Sequence, residues 1–289
     1  MRQIIFAGVA AALTLTMQPA QADGEKIAFS VPSLGFPFFV HMQKQFNEEA
    51  AAQGVEVINY DGQNQTTKQT ADVEAAIISG VNGIVISPSD SVAMAPAIRQ
   101  AVEAGIPVVT IDRRVDGVDG LLGHVGADNV KGGEAQGNLI VKMFPDGARI
   151  VNLQGQPGSS PAIDRNQGVH NALDSMSDKY PFVAEQTANF AREEGASVTE
   201  AILAGLDSPP DVIVAANDDM ALGAMQVVQE QGLDIAIIGF DALPEALAAI
   251  RDGTLTATIE QMPGGQSRGA LKAMVDHLRN GTSPDAVTL

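Results

Sequence analysis

Acidic, basic and amide side chains follow several short β-branched runs of this sequence, at the point where each run ends. They belong to Asp112, Arg113, Asn217, Asp241 and Gln261. In α/β proteins, ligands bind outside the carboxyl ends of parallel strands, so side chains at these positions converge on one site. Carboxylates accept hydrogen bonds, guanidiniums donate them and amides do both. The set therefore predicts a site for a ligand that carries several hydroxyl groups.

One further basic residue and four aromatic residues complete the candidate set. They are Arg165, Phe36, Phe38, Phe39 and Phe190. Aromatic residues make up 4% of the chain and tryptophan is absent, so each phenylalanine near a loop is a candidate wall for the C–H face of a sugar ring. The set holds two arginines and two aspartates, whose formal charges cancel. This balance argues against a phosphate or carboxylate ligand.

Several candidates also have a purely structural interpretation. Asp112 and Arg113 could form a salt bridge at a strand end. Asn217 lies just before a predicted helix and could serve as its N-cap. Phe38 and Phe39 could form a hydrophobic staple at a helix start. Position along the chain does not separate these roles from ligand binding.

The candidates are positioned by β-branched runs that alternate with longer amphipathic runs. Predicted strands cover 26–31, 55–60, 83–87, 108–111, 148–153, 182–186, 212–216, 235–239 and 256–260, with a short strand at 121–125 that leaves the first sheet. Predicted helices cover 37–54, 67–80, 94–105, 129–143, 162–176, 193–205, 219–231, 244–252 and 266–280. Such alternation is typical of βαβ units and parallel sheets. We therefore predict an α/β protein with two Rossmann-like lobes, each a parallel sheet flanked by helices, joined by a hinge of short crossovers.

The first 22 residues have the features of a secretory signal peptide. A basic start is followed by an apolar stretch at 4–17 and by the small-x-small sequence Ala20-Gln21-Ala22. This stretch is shorter than the roughly 20 residues that span a bilayer. We therefore predict cleavage after Ala22 and a periplasmic location. Residues 23–127 and 262–282 are predicted to form the N-terminal lobe and 128–261 the C-terminal lobe, to which 283–289 could be added.

Composition and missing motifs exclude several classes of function. The formal net charge is −18, which disfavours nucleic acid and anionic membrane surfaces as partners. With no cysteine, the chain has no disulfide, thiolate nucleophile or cysteine-based metal site. The sequence contains no G-x-G-x-x-G or P-loop motif, and its four histidines are scattered. We predict a binding protein with no catalytic residue, metal or cofactor.

Several motifs resemble those of the ribose-binding protein family, the periplasmic substrate-binding proteins of sugar ABC importers. They are Phe38-Phe39-Val40, Thr110-Ile111-Asp112-Arg113, Ala127-Asp128-Asn129, Leu153-Gln154-Gly155, Asp164-Arg165 with Gly168, Asn217-Asp218-Asp219-Met220, Gly239-Phe240-Asp241 and Ala257-Thr258-Ile259-Glu260-Gln261. The resemblance covers nearly the whole chain after the signal peptide. It implies two lobes that close on one monosaccharide, with a membrane permease as partner and a monomeric state. It also implies that the phenylalanines 38, 39 and 190 wall the ring, and that the polar candidates bond its hydroxyls.

The chain departs from this family before the first helix, where ribose binders carry a serine and an asparagine. Here those places hold Pro32 and Phe36, so two polar contacts are replaced by one aromatic ring. A polar group left without its partner costs about 1–3 kcal/mol, so another pentose, a ketose or a linear polyol fits nearly as well as ribose. The segment 162–165 and Asn217 to Met220 also resemble galactofuranose binders of the same superfamily. An exported sugar sensor for chemotaxis is the alternative function.

Overall fold

The computed structural model describes residues 24–282 and 287–288 and has two parallel β-sheets flanked by helices. The first sheet contains β1 (Lys26–Val31), β2 (Glu56–Asp61), β3 (Gly83–Ile86), β4 (Val108–Ile111), β5 (Gly123–Gly126) and β10 (Val287–Thr288). The second contains β6 (Ile150–Gln154), β7 (Phe182–Thr187), β8 (Val212–Ala215) and β9 (Ala236–Ile238). The predicted fold class is confirmed: the protein is α/β with two Rossmann-like lobes.

Helices connect most of the successive strands within each lobe, and β4 leads to β5 without one. The first lobe contains α1 (Pro37–Gln53), α2 (Thr66–Ile78), α3 (Ala95–Glu103) and α9 (Pro263–Asn280). The second contains α4 (Asn129–Met143), α5 (Ser160–Leu173), α6 (Arg192–Gly205), α7 (Asp218–Glu230) and α8 (Pro244–Arg251). None of these helices combines the length and the apolar character that a membrane crossing requires.

The strand order places β3 and β4 at the centre of the first sheet, and β6 and β8 at the centre of the second. The orders are β10-β5-β4-β3-β1-β2 and β7-β6-β8-β9. The strands β3, β4 and β8 are buried along their whole length, which is why they read as unbroken apolar runs rather than as alternating ones. Helices therefore cover both faces of each sheet, and the strand ends are left as the places where polar groups can meet a ligand.

The chain passes between the lobes in short connections. Residues 127–128 join β5 to α4, and a segment near Gln261 and Met262 leads into α9, which packs against α1 in the first lobe. The short strand predicted at 121–125 corresponds to β5, which remains in the first sheet and pairs with β4. The structure places Val287 and Thr288 in the first sheet beside β5. The alternative that 283–289 extends the C-terminal lobe is therefore wrong for this strand, because its backbone groups pair with the other sheet.

Two other elements differ from their predicted form. The stretch 256–260 is not a strand, since only Ala257 forms a bridge, to Ile238. The side chains of Thr256 and Thr258 instead accept hydrogen bonds from the backbone N–H groups of Ile237 and Ala242, at 2.9 and 3.1 Å, and these bonds compete with a regular ladder. The helix predicted to end at Met176 ends at Leu173 and continues as a 3₁₀ turn. The predicted signal peptide lies outside the described residues.

Candidate functional site: a charged cavity between the lobes

One cavity lies between the carboxyl ends of the two sheets and encloses about 350 Å³, its mouth included. All ten candidate residues line it: Phe36, Phe38, Phe39, Asp112, Arg113, Arg165, Phe190, Asn217, Asp241 and Gln261. The ten candidates therefore meet at one site, where the ends of the two sheets face each other.

Asp112 is held by an unusual turn at the end of β4. Its φ is 62°, in the left-handed region, and the N–H of Arg113 donates to the carbonyl of Ile111 at 2.6 Å. A non-glycine residue in this region costs roughly 1–3 kcal/mol. The hydroxyl of Ser87 donates to the Asp112 carboxylate at 3.3 Å. The turn aims an acid and a base from adjacent positions into the same cavity.

Asp241 occupies the corresponding place in the second lobe, two residues after Gly239. Its φ is 115°, again in the region that disfavours a side chain. The amide of Gln261 donates to its carboxylate at 2.5 Å, and Nη1 of Arg165 lies 3.5 Å from the same oxygen. Gln261 Oε1 is buried and has no hydrogen-bond partner among the described residues. An acceptor in this condition is a natural contact for a ligand hydroxyl.

The Arg165 guanidinium is fixed by groups of its own lobe. Its Nε donates to the side-chain oxygen of Asn129 at 2.8 Å, and its Nη1 donates to the carbonyl of Ala216 at 2.6 Å. Its central carbon lies 3.7 Å from the ring centroid of Phe240. Such stacking and hydrogen bonding leave the planar group few alternative positions. Arg165 is therefore a rigid donor at the cavity wall.

The Arg113 guanidinium is held by groups from both lobes. Its Nη1 donates to the carbonyl of Ser89 at 3.2 Å and to Oε1 of Gln156, from the second lobe, at 3.3 Å. The guanidinium lies 5.4 Å from the ring centroid of Phe39 and 5.6 Å from that of Phe190. Closure of the lobes thus contributes part of the environment of Arg113.

Aromatic rings from both lobes border the cavity. Phe38 and Phe39 form an edge-to-face pair with centroids 5.3 Å apart, and Phe36 lies 6.3 Å from Phe39. Phe190 enters from the second lobe, in a left-handed conformation with a φ of 61°. The rings provide apolar surfaces between the charged groups, as the C–H faces of a polyol require.

Burial changes the proton affinities of the four charged groups. It raises the pKa of Asp112 and raises that of Asp241 well above its usual value, although nearby arginines oppose both shifts. It also lowers the pKa of Arg113 to about 10 and lowers that of Arg165. With a pKa of about 10, Arg113 still keeps its charge at neutral pH. A desolvated set of this kind gains from a ligand whose hydroxyls both donate and accept.

Asn217 combines the two roles that the sequence left open. Its side-chain oxygen accepts from the N–H of Met220 at 3.0 Å and so caps α7. Its amide donates to the carbonyl of Phe190 at 3.1 Å. The same side chain lines the cavity. Capping orients the amide, which leaves its second N–H for a ligand.

Sequence reasoning missed Asp219 and Pro161, which also line the cavity. Asp219 accepts from Arg192 at 3.2 Å, and burial raises its pKa. Its neighbour Asp218 points elsewhere and accepts from Thr258 and from the N–H of Leu243, at 2.7 and 2.8 Å. Burial raises the pKa of Asp218 to about 6. The two acids therefore do not face each other as a catalytic pair. The only sequence signal for Asp219 was its place in the polar run that begins at Asn217.

The comparisons with known proteins agree over nearly the whole chain. The family described as "periplasmic binding protein domain" matches residues 27–282. The ribose import binding protein of Bacillus subtilis is 41% identical over 253 residues, which cover 85% of this chain and 80% of that protein. The crystal structure of a Caulobacter myo-inositol binding protein bound to myo-inositol is 42% identical, with a TM-score of 0.90 and coverage of 94% of this chain and 93% of that one. An ABC transporter solute-binding protein of Bacillus halodurans, solved with bound myo-inositol, is 31% identical, with a TM-score of 0.87 and coverage of 93% and 94%.

Proposed function

This chain belongs to the periplasmic binding protein family, and from that membership we propose that its interlobe cavity binds one neutral sugar or cyclic polyol for import. The observation that carries the proposal is the lining of the cavity. Three acids, two arginines, two amides and four phenylalanines line it. The third acid, Asp219, pairs with Arg192 at 3.2 Å. The charges of the other two acids and the two arginines balance, so a neutral ligand with many hydroxyls satisfies these groups without adding a charge.

D-Ribose and myo-inositol are the two ligands to compare first. Relatives with these ligands in their names are 41% and 42% identical to the chain. Phe36 weighs against ribose, because it puts an apolar ring at the wall of the cavity where ribose binders carry a polar side chain. A carbocycle with a hydroxyl on each carbon can use all six polar candidates, whereas ribopyranose has fewer hydroxyls to offer.

The role we propose is delivery rather than chemistry. The protein acts in the periplasm after removal of 1–22, as a monomer, and presents the ligand to the membrane subunits of an ABC permease. Members of this family serve as substrate-binding proteins of transporters. Binding makes or breaks no covalent bond and shifts an equilibrium between open and closed lobes.

A thermal-unfolding panel of pentoses, hexoses, ketoses, linear polyols and cyclitols tests the proposal on the mature protein. A ligand present at about 1,000 times its Kd stabilises the folded state by roughly 4 kcal/mol, which raises Tm by on the order of 10 °C for a chain of this size. We expect the largest shift with myo-inositol and a smaller one with D-ribose. The reverse order would assign ribose, and no shift with any compound would refute the sugar-binding function.

A further inference from the structure

Beyond the cavity, the two lobes touch each other directly through the segment 156–164 of the second lobe. The amide of Gln156 donates to the side-chain oxygen of Asn64 at 3.0 Å, and the N–H of Ser91 donates to the carbonyl of Gly158 at 2.9 Å. The N–H of Arg114 donates to the hydroxyl of Ser160 at 2.8 Å. These bonds join loops that follow β2, β3 and β4 to the loop after β6 and the start of α5. They exist only when the lobes are together.

The strongest of these contacts is a two-pronged ion pair between Arg114 and Asp164. Nη1 of Arg114 donates to one carboxylate oxygen, and Nη2 donates to the other at 3.1 Å. The Asp164 side chain is 12% exposed and that of Arg114 is 44% exposed. The acid is therefore largely removed from water, which strengthens the pair relative to a surface salt bridge.

The ion pair is linked to the cavity by one peptide bond on each side. Arg114 follows Arg113, and Asp164 precedes Arg165. Closure brings the two cavity arginines to the same ring, since both guanidiniums lie within 6 Å of the Phe190 centroid, at 5.6 and 5.8 Å. Their like charges repel, and the charge on Arg165 helps to lower the pKa of Arg113. The attraction between Arg114 and Asp164 acts between the same two segments and opposes this repulsion.

We propose that Arg114 and Asp164 form an interlobe clasp, which stabilises the closed form and slows ligand release although neither side chain lines the cavity. This inference rests on the proposed function for its readout, because ligand release is what the clasp controls. In a protein that binds tightly only when closed, any contact confined to the closed form raises the apparent affinity. Arg114 and Asp164 are positioning residues in this scheme.

The test compares four proteins: wild type, Asp164→Asn, Arg114→Gln and the charge-exchanged double variant Arg114→Asp/Asp164→Arg. Kd and the dissociation rate are measured with myo-inositol and D-ribose. We expect each single variant to weaken binding about three- to tenfold, mainly through faster dissociation. The exchanged pair restores part of the loss. Added salt weakens binding by the wild type more than binding by Asp164→Asn.

The matched control is Glu25→Gln. Glu25 also pairs with both prongs of an arginine, Arg279, at 2.6 and 2.8 Å, but both residues belong to the first lobe. Its loss removes an ion pair without affecting closure, so we expect an unchanged Kd. An equal loss of affinity in Glu25→Gln and Asp164→Asn would mean that the effect is general destabilisation, and the clasp would be disproved.

A ligand-independent measurement separates failure of the clasp from failure of the proposed function. The chain has no cysteine, so the substitutions Ile78→Cys and Asp207→Cys introduce two unique sites for labels. Both positions are exposed and they lie in different lobes, so the pair of labels reports the interlobe distance. We expect a smaller closed fraction in ligand-free Asp164→Asn than in ligand-free wild type. If the wild type binds neither compound, the proposed function fails and this distribution alone decides; equal fractions in the two proteins would overturn the clasp.

Discussion

The two halves of the cavity are built from the same parts but are supported differently. Each half has an acid with positive φ at a strand end and one arginine: Asp112 with Arg113 in the first lobe, Asp241 with Arg165 in the second. Arg165 and Asp241 lie closer together, at 3.5 Å, than Arg113 and Asp112, at 3.9 Å. The second half therefore has the tighter ion pair.

The two arginines differ more in which lobe supplies their supporting hydrogen bonds than in their ion-pair distances. The bonds that hold Arg165 come from Asn129 and Ala216, both in its own lobe. Arg113 receives one bond from Ser89 of its own lobe and one from Gln156 across the cleft. We infer that the second-lobe half exists before closure, whereas the first-lobe half is completed by it. A ligand would then bind first to the preformed surface of the second lobe, and closure would bring the groups of the first lobe to it.

The largest effect is expected for Arg165→Ala, which tests whether the second half is also part of its lobe's core. The change removes a fixed donor and leaves the buried Asp241 carboxylate without its arginine. We expect binding to weaken more than about 100-fold and the free energy of unfolding to fall by roughly 3–5 kcal/mol. Calorimetric titration and urea unfolding measure the two losses. Full stability with no binding would mean that Arg165 is not a structural support.

Arg113→Ala should separate binding from folding. Like Arg165→Ala, the change removes a guanidinium that donates hydrogen bonds at the cavity wall, so we expect a similar loss of ligand affinity. The cost in stability should be smaller, about 1–2 kcal/mol, because fewer of its partners are fixed in one lobe. If both arginine variants lose the same free energy of unfolding, the difference between the halves is not real.

Gln156→Ala tests the contribution of the second lobe to Arg113 directly. The variant loses the bond to Arg113 and the bond to Asn64 at once. We expect Kd to rise about fivefold, which corresponds to roughly 1 kcal/mol, while Tm without ligand stays within about 1 °C. A matched Gln167→Ala variant removes a bond within α5 to Asn171 and should bind normally. An unchanged Kd in Gln156→Ala would indicate that Arg113 does not need the second lobe.

The smallest effect is expected for a change at His170, which stabilises the second lobe away from the cavity. Burial alone would lower the pKa of His170, but its bonds to Asp174 and Glu185, at 2.8 and 2.9 Å, outweigh burial and raise it. A raised pKa means that the stabilisation is complete below about pH 6.5, the ordinary value for histidine. It is lost as pH rises through the folded-state value.

His170→Gln should therefore lower Tm by about 1–3 °C at pH 5.5 and by less at pH 9. Ligand affinity should not change at either pH, because the pair belongs to one lobe and its bonds do not depend on closure. Thermal melts at the two pH values, with titrations beside them, make the comparison. If ligand affinity falls together with Tm, the ligand-binding surface of the second lobe is not formed before closure.

The sequence alone determined the fold class and all ten candidate lining residues. Apolar runs of four to six residues alternating with amphipathic ones allow few arrangements other than parallel sheets. The carboxyl ends of parallel strands lie along one edge of a sheet, so Asn217 and Asp241 of the second sheet had to lie near each other. The same rule places Asp112 at the corresponding edge of the first sheet. Local pattern and this rule of sheet geometry account for the candidates at the strand ends, whereas the role of the phenylalanines as walls of a ring came from the family resemblance.

Other features depended on which non-local groups meet. The sequence could not tell which of Asp218 and Asp219 lines the cavity, since successive helix residues face different directions. The bonds of Asp218 to Thr258 and Leu243 turn its side chain away from the cavity. It could not place Val287 in the first sheet, because a two-residue strand carries no pattern of its own. The contact between Arg114 and Asp164 lies fifty positions apart in the chain. It exists through the relative position of the two lobes, which no local run of residues encodes.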